Sequence, residues 1–134
     1  MTAAHKDPAI VARGSTVIAE MKDICPSMIY AALVTDDGFT VVHLPHHETD
    51  SDRFASMASS MQALTDAVAR ELQMGDSQYI IIASDRYHVI QLRVPGQALV
   101  LSVLFDDDET LGKALSISRQ SASRLASAMA EPVS

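Results

Sequence analysis

The chain has 134 residues, 48% of them hydrophobic and 20% charged, so it is long and apolar enough to bury a core. Its formal net charge of −7 excludes a basic footprint for nucleic acid or for an anionic membrane surface. A single cysteine, Cys25, excludes an internal disulfide and suits a reducing cytoplasm. No signal peptide is visible, and no apolar run reaches the roughly 20 residues that cross a bilayer, so we expect a cytoplasmic protein. We expect one domain over residues 1–134, with a core from about 8 to 129.

The first third of the chain predicts a helix followed by a hairpin. Asp7-Pro8 marks a helix start, because the aspartate can cap free N–H groups and proline is favoured in the first turn. Pro26 ends this helix. The nearly continuous apolar run Met28–Val34 is typical of a strand covered on both faces. Asp36-Asp37-Gly38 then turns the chain into a second strand, Phe39–Leu44.

A long helix is predicted from Asp52 to Met74, with Gly75 as its stop. Its apolar residues recur with the spacing of one helical face, and we expect this stripe to pack on a sheet: Phe54, Met57, Met61, Leu64, Val68 and Leu72. The opposite side lacks the charges of a solvent-facing helix and consists of Ser56, Ser60, Ala63 and Ala67. Such small side chains allow another backbone to approach, so this side predicts contact with a second copy of the chain or, alternatively, with another segment of it.

The last part of the chain predicts three strands and a helix. The strands are Tyr79–Ala83, Tyr87–Val94 and Ala98–Phe105, and their short links require antiparallel neighbours. Asp106-Asp107-Asp108-Glu109 leads into the final helix as an acidic, solvated cap. The predicted fold class is α/β, a three-layer α/β/α domain around a five-stranded antiparallel sheet. Its element order is α-β-β-α-β-β-β-α.

Four local sequences, in this order, resemble the roadblock family of dynein light chains and bacterial mutual gliding protein B-like proteins. They are the hairpin Thr35–Phe39, the helix end Glu71–Gly75, the turn Pro95–Val100, and Thr110-Leu111-Gly112 at the start of the last helix. The resemblance covers approximately Ile10 to Ala128. It implies a fold similar to longin and profilin-like domains.

The resemblance also implies a homodimer that pairs the long helices and joins the third strands edge to edge. The apolar third strand would be an aggregation hazard as a bare edge, which such pairing removes. On this interpretation the dimer interface contains Ser56, Ser60, Ala63, Ala67, Tyr79 and Ile81. The family further implies a scaffold or regulator of a small Ras-like GTPase, and some members accelerate GTP hydrolysis.

Other candidate chemistry is weak. His43, His46 and His47, with Glu48, are the clustered residues that suit zinc, but their loop lacks rigid ligand spacing, so we expect no metal site. Cys25 at a helix end is more typical of packing than of a nucleophile.

No phosphate-binding glycine loop is present in the sequence, so we do not expect the chain to bind a nucleotide. No constellation of residues supports an enzyme, and we expect no cofactor. The alternative function is a profilin-like or PAS-like sensor of a small molecule. That function would require a roomy pocket between the sheet and the helices.

Overall fold

A computed structural model describes residues 3–45 and 50–130 of the protein. After a short 3-10 helix at Ala4–Lys6, its elements in chain order are α1 (Pro8–Ile24), β1 (Met28–Thr35), β2 (Thr40–Leu44), α2 (Ser51–Glu71), β3 (Ile80–Ala83), β4 (Tyr87–Arg93), β5 (Leu99–Asp106) and α3 (Leu111–Ala130). The predicted element order is confirmed. None of the helices in these two ranges is long and apolar enough to cross a membrane.

The five strands form one antiparallel sheet in the order β2-β1-β5-β4-β3. The two strands that sequence predicts to be covered on both faces, β1 and β5, lie next to each other in the interior of the sheet, with Tyr30 opposite Leu104. Strand β3 lies at one edge and pairs with β4, where Ile81 is opposite Ile90.

Successive residues of β1 separate the two cores of the domain, because side chains alternate between the faces of a strand. Ala31 and Leu33 join the larger core, together with residues of α1 and α3 such as Ile18 and Leu125. The neighbouring residues of β1 join a smaller core beneath α2: Tyr30, Ala32 and Val34. Helices therefore cover both faces of the sheet, and the predicted three-layer architecture is confirmed.

Helix ends follow the expected chemistry with two corrections. The Asp7 carboxylate accepts a hydrogen bond from the backbone N–H of Ala9 at 3.0 Å, as predicted. Helix α2 ends at Glu71, earlier than predicted. The first residue after the helix with a positive φ is Gln73, at 54°, and not Gly75. The cap of α3 is also not acidic, because the Thr110 hydroxyl accepts the N–H of Lys113 at 3.2 Å.

The prediction for the sheet-facing side of α2 is wrong. The residues of α2 that are buried are small or polar: Ala55, Ala58, Gln62 and Ala69. Met57, Leu64 and Val68 are instead 56%, 67% and 45% exposed. Of the six residues expected to face the sheet, Phe54 packs on it, edge-on to Tyr30 with ring centroids 4.6 Å apart.

Polar contacts explain why small residues occupy the sheet-facing side of α2. The side-chain amide of Gln91, on β4, donates to the backbone carbonyl of Ala58 at 2.9 Å, and a larger residue at 58 would push the helix away from that donor. The hydroxyl of Ser59 donates to the carbonyl of Asp36 at 2.7 Å. The helix therefore lies close to the sheet, and its apolar stripe points sideways and outward.

A third polar contact fixes the other side of α2. The Arg93 guanidinium on β4 bonds Asp36 at 2.6 Å and Asp66 at 2.8 Å. Asp66 is the one charged residue between Arg53 and Arg70 in the sequence, and this ion pair turns it toward the sheet. The outward side of α2 over this stretch is consequently uncharged.

The orientation of α2 can be tested by enlarging an alanine. We expect Ala58→Leu to lower the free energy of unfolding by about 1–3 kcal/mol, because Ala58 is buried and the site has no room for the added methylenes. The matched control is Ala19→Leu on the exposed side of α1, which should change stability by less than about 0.5 kcal/mol. Urea denaturation measures both variants. Equal stability of the two would contradict the orientation described here.

Candidate interaction surface

An exposed apolar stripe runs along α2. Met57, Leu64 and Val68 recur on one side of the helix and are each at least 45% exposed, and Leu72, the residue after its end, is 65% exposed. Met61 lies between them and is half-buried. Single exposed apolar residues are ordinary on a protein surface, but a contiguous row of them marks a site of association. We call these five residues the α2 stripe.

The edge strand β3 carries an exposed apolar side chain on the same face of the sheet as α2. Ile80 and Ile82 are directly opposite Gln91 and Val89 of β4, and Gln91 contacts α2. Because opposite residues share a face of the sheet, Ile82 projects to the α2 side, where it is 45% exposed. The outer N–H and C=O groups of β3 are available for pairing, since β3 is the last strand in the sheet order.

The residues that sequence predicts for the interface occupy three kinds of position. Four of them are exposed on the outward side of α2, next to the α2 stripe: Ser56, Ser60, Ala63 and Ala67. Tyr79 precedes β3 and is 39% exposed. Ile81 is half-buried and lies on the opposite face of β3, because its partner Ile90 belongs to the core with α1 and α3. Their contact with a second copy stays a prediction.

Sequence reasoning missed the α2 stripe and Ile82 as surface residues. An apolar row with helical periodicity carries the same pattern whether it is buried in its own chain or in a partner. The signal that distinguishes the two cases is Gln62, a polar residue whose position on the helical wheel falls among Ala55, Ala58 and Ala69. This residue pairs with Gln91 of β4 at 3.3 Å, and so marks the buried side.

The histidine cluster is only partly within the described ranges. A ring nitrogen of His43 lies 3.0 Å from the carbonyl oxygen of Pro45, and its ring stacks near Tyr30 at a centroid distance of 6.2 Å. His46, His47 and Glu48 lie outside the described residues, so the weak metal candidate is untested. Elsewhere in the described chain, Asp106, Asp107 and Asp108 bring carboxylate oxygens within 4.8 Å of one another at an exposed turn.

Cys25 belongs to a small polar cluster that joins the start of β1 to the turn before α3. Its thiol is 3.2 Å from a carboxylate oxygen of Glu109, which also accepts a 2.8 Å hydrogen bond from Ser27. Burial raises the pKa of the Cys25 thiol, so the reactive thiolate is disfavoured. The hydrogen bond from Ser27, followed by that from Cys25, lowers the pKa of the Glu109 carboxyl.

The fold is that of a small α/β domain with an uncharged apolar side of helix α2 next to an apolar sheet edge. A model of the Roadblock/LC7 domain matches residues 25–105, and the chain belongs to this family. Members of the family are generally non-catalytic adaptors. No curated protein matches the chain.

Solved structures of the same fold resemble nearly the whole chain. The gliding protein MglB from Thermus thermophilus is 22% identical, with a TM-score of 0.78 over 91% of this chain and 92% of that one. MglB from Myxococcus xanthus is 16% identical, with a TM-score of 0.80 over 89% of each chain. An MglB with a tetrameric arrangement is 24% identical, with a TM-score of 0.78 over 91% of each chain. At these identities the likeness establishes the fold.

The cluster around Glu109 generates a pH prediction. Because folding lowers the pKa of this carboxyl below its ordinary value of 4.5, its contribution to stability is present above that pH and is lost as pH falls through the folded pKa. Ser27→Ala removes the main donor, so we expect its stability to decrease less steeply than that of the wild type below about pH 4.5. Thermal unfolding at a series of pH values measures this slope. Ser116→Ala on exposed α3 is the control and should keep the wild-type slope.

Proposed function

We propose that this chain is a homodimeric scaffold or regulator of a small Ras-like GTPase in bacterial signalling, motility or polarity, with no active site of its own. The observation that carries the proposal is the uncharged α2 stripe lying on the same face as the exposed edge residue Ile82. A surface of this kind suits a permanent partner, because contiguous exposed apolar side chains favour association.

Edge-to-edge pairing of β3 with its own copy accounts for both the exposed α2 stripe and the exposed edge residue Ile82. Antiparallel strands are related by a twofold axis perpendicular to the sheet, so the two sheets would form one sheet with both α2 helices on the same side. The α2 stripe of one protomer could then meet that of its partner across the axis. Ser60, Ala63 and Ala67 next to the stripe would allow a close helix approach.

The regulatory part of the proposal rests on the family. The roadblock resemblance implies a Ras-like GTPase partner, and the similar solved structures include gliding proteins and an MglB with a tetrameric arrangement. The net charge of −7 suits a protein partner with a basic surface better than nucleic acid. A cytoplasmic location follows from a GTPase partner of this kind.

The dimer is tested by charge substitution on α2. We expect Ala63→Arg and Leu64→Arg each to weaken dimerisation by about a hundred-fold or more, because an unpaired charge buried against its symmetry copy costs several kcal/mol. Light scattering should then give the mass of one chain where the wild type gives that of two. The control is Ile24→Arg, which is 58% exposed at the end of α1 and should remain dimeric. Dimeric mass in both α2 variants would refute this interface.

The GTPase role is tested with purified components. Each small Ras-like GTPase of the source organism, loaded with GTP or with GDP, is titrated with the full chain, and GTP hydrolysis is followed under single-turnover conditions. We expect one GTPase to bind with a preference between the two nucleotide states, since a regulator must distinguish them. Absence of binding by every GTPase in both states would contradict the proposal.

A further inference from the structure

A concave apolar surface lies at the N-terminal end of α2. It is a groove of about 290 Å³ between the first turn of α2 and the interior strands of the sheet. The groove is lined by Ile29, Tyr30, Pro45, Asp50, Phe54 and Leu104. Ile29 is 40% exposed, and Phe54 and Leu104 are half-buried, so apolar area at this site faces solvent. We call it the β1–α2 groove.

This groove is separate from the surface assigned to the dimer. Its sheet residues belong to β1 and β5, and β4 and β5 stand between β1 and the edge strand β3. At about 4.8 Å per strand, β1 lies roughly 14 Å and β5 roughly 10 Å from β3. Pairing of β3 with its copy would therefore not cover β1, and a dimer paired in this way would carry two such grooves.

The rim of the groove includes the acidic residue Asp50, and three further acidic residues follow its β5 wall in the sequence. Leu104 lines the groove, and Asp106 ends the same strand two residues later, with its N–H donating to the carbonyl of Ser27 at 3.1 Å. Asp107 and Asp108 follow and are both exposed. The negative charge of this turn therefore lies beside the start of β1, next to Ile29.

One basic group lies at the start of β1, where the Lys22 ammonium donates to the backbone carbonyls of Pro26 and Met28 at 3.0 and 2.6 Å. Arg53 and Arg86 are exposed, and each directly follows an aspartate in the sequence, Asp52 and Asp85. The three aspartates of the turn therefore outnumber the one lysine at the start of β1.

We propose that the β1–α2 groove binds a segment of a partner protein that presents an apolar side chain flanked by lysine or arginine. The volume lies just below the roughly 300–1,000 Å³ of pockets for drug-sized ligands and suits one or two anchoring side chains. The acidic rim complements basic flanks, and it repels nucleic acid, lipid phosphates and a second copy of this chain with its charge of −7. The inference rests on the proposed scaffold function, since it assigns the surface that would hold the dimer's partner.

The experiment uses two synthetic peptides as probes. Both carry the same Leu-Phe-Leu centre; one is flanked by lysines and the other by glutamates. Each is titrated into the isotope-labelled full-length chain, with amide chemical shifts locating the site and calorimetry giving the Kd. We expect the lysine peptide to shift the amides of Ile29 and Leu104, to bind about ten-fold tighter than the glutamate peptide, and to weaken as salt is raised.

Two variants separate the apolar and the charged parts of the groove. Ile29→Ser should abolish the shifts, and the double variant Asp107→Asn, Asp108→Asn should weaken the lysine peptide by about ten-fold and reduce its salt dependence. The matched control removes the same number of charges from exposed positions elsewhere, Asp23→Asn with Asp76→Asn, and should retain wild-type binding. Thermal unfolding verifies that Ile29→Ser is folded, and the double variant tests the groove without altering its apolar lining.

The outcomes distinguish this inference from the proposed function. Equal affinity for the two peptides, shifts confined to residues outside the groove, or undiminished binding by the double variant would each overturn it. The oligomeric mass is measured on the same samples. A monomer that binds the lysine peptide in the groove would refute the dimer and retain the groove. A dimer that binds neither peptide would refute the groove and retain the dimer.

Discussion

The close contact between α2 and the sheet is the constraint on which the surface of this protein depends. The Gln91 amide reaches the backbone carbonyl of Ala58 at 2.9 Å, which requires small residues on the sheet-facing side of the helix. Ala55 and Ala58 meet that requirement and are almost completely buried. Because small residues occupy this side, the large apolar side chains of α2 must lie elsewhere on the helix. Two of them, Leu64 and Val68, lie in solvent.

The packing of α2 on the sheet also explains why the outward side of this helix is uncharged between Arg53 and Arg70. Arg93 bonds Asp66 and Asp36 together, so the one carboxylate in the middle of α2 is held toward the sheet. An isolated pair with both partners about one-third or more exposed adds at most about 1 kcal/mol to stability. Its larger consequence is the position of the Asp66 carboxylate, which is turned away from the outward side of α2. Between Arg53 and Arg70 the outward side of α2 keeps no charge that a partner would have to desolvate, and desolvation of unpaired charge is among the largest costs of forming an interface.

Sequence patterns predicted the architecture well, because the signals that set it are local. The Asp7-Pro8 start, the Asp-Asp-Gly turn and the apolar runs of β1 and β5 are each read within a few residues, and the structure contains all of them. The orientation of α2 could not be read in this way. Periodicity identifies the apolar side of a helix, but the side that meets the sheet here is decided by Gln91, which is 29 residues from Gln62 and 33 from Ala58. The Ser27–Glu109 contact, across 82 residues, escaped prediction for the same reason.

The two candidate surfaces of the α2 layer differ in how each would select its occupant. The α2 stripe and β3 are apolar and uncharged, and an interface with twofold symmetry places like residues near like residues, which only neutral side chains tolerate well. The β1–α2 groove has Asp106, Asp107 and Asp108 beside it, and a second acidic chain would be repelled there. Charge would thus separate the proposed self-association from the proposed partner binding on one face of a single sheet. On these two proposals, a protein of net charge −7 would concentrate a basic partner at the groove and would still pair with itself through its neutral edge.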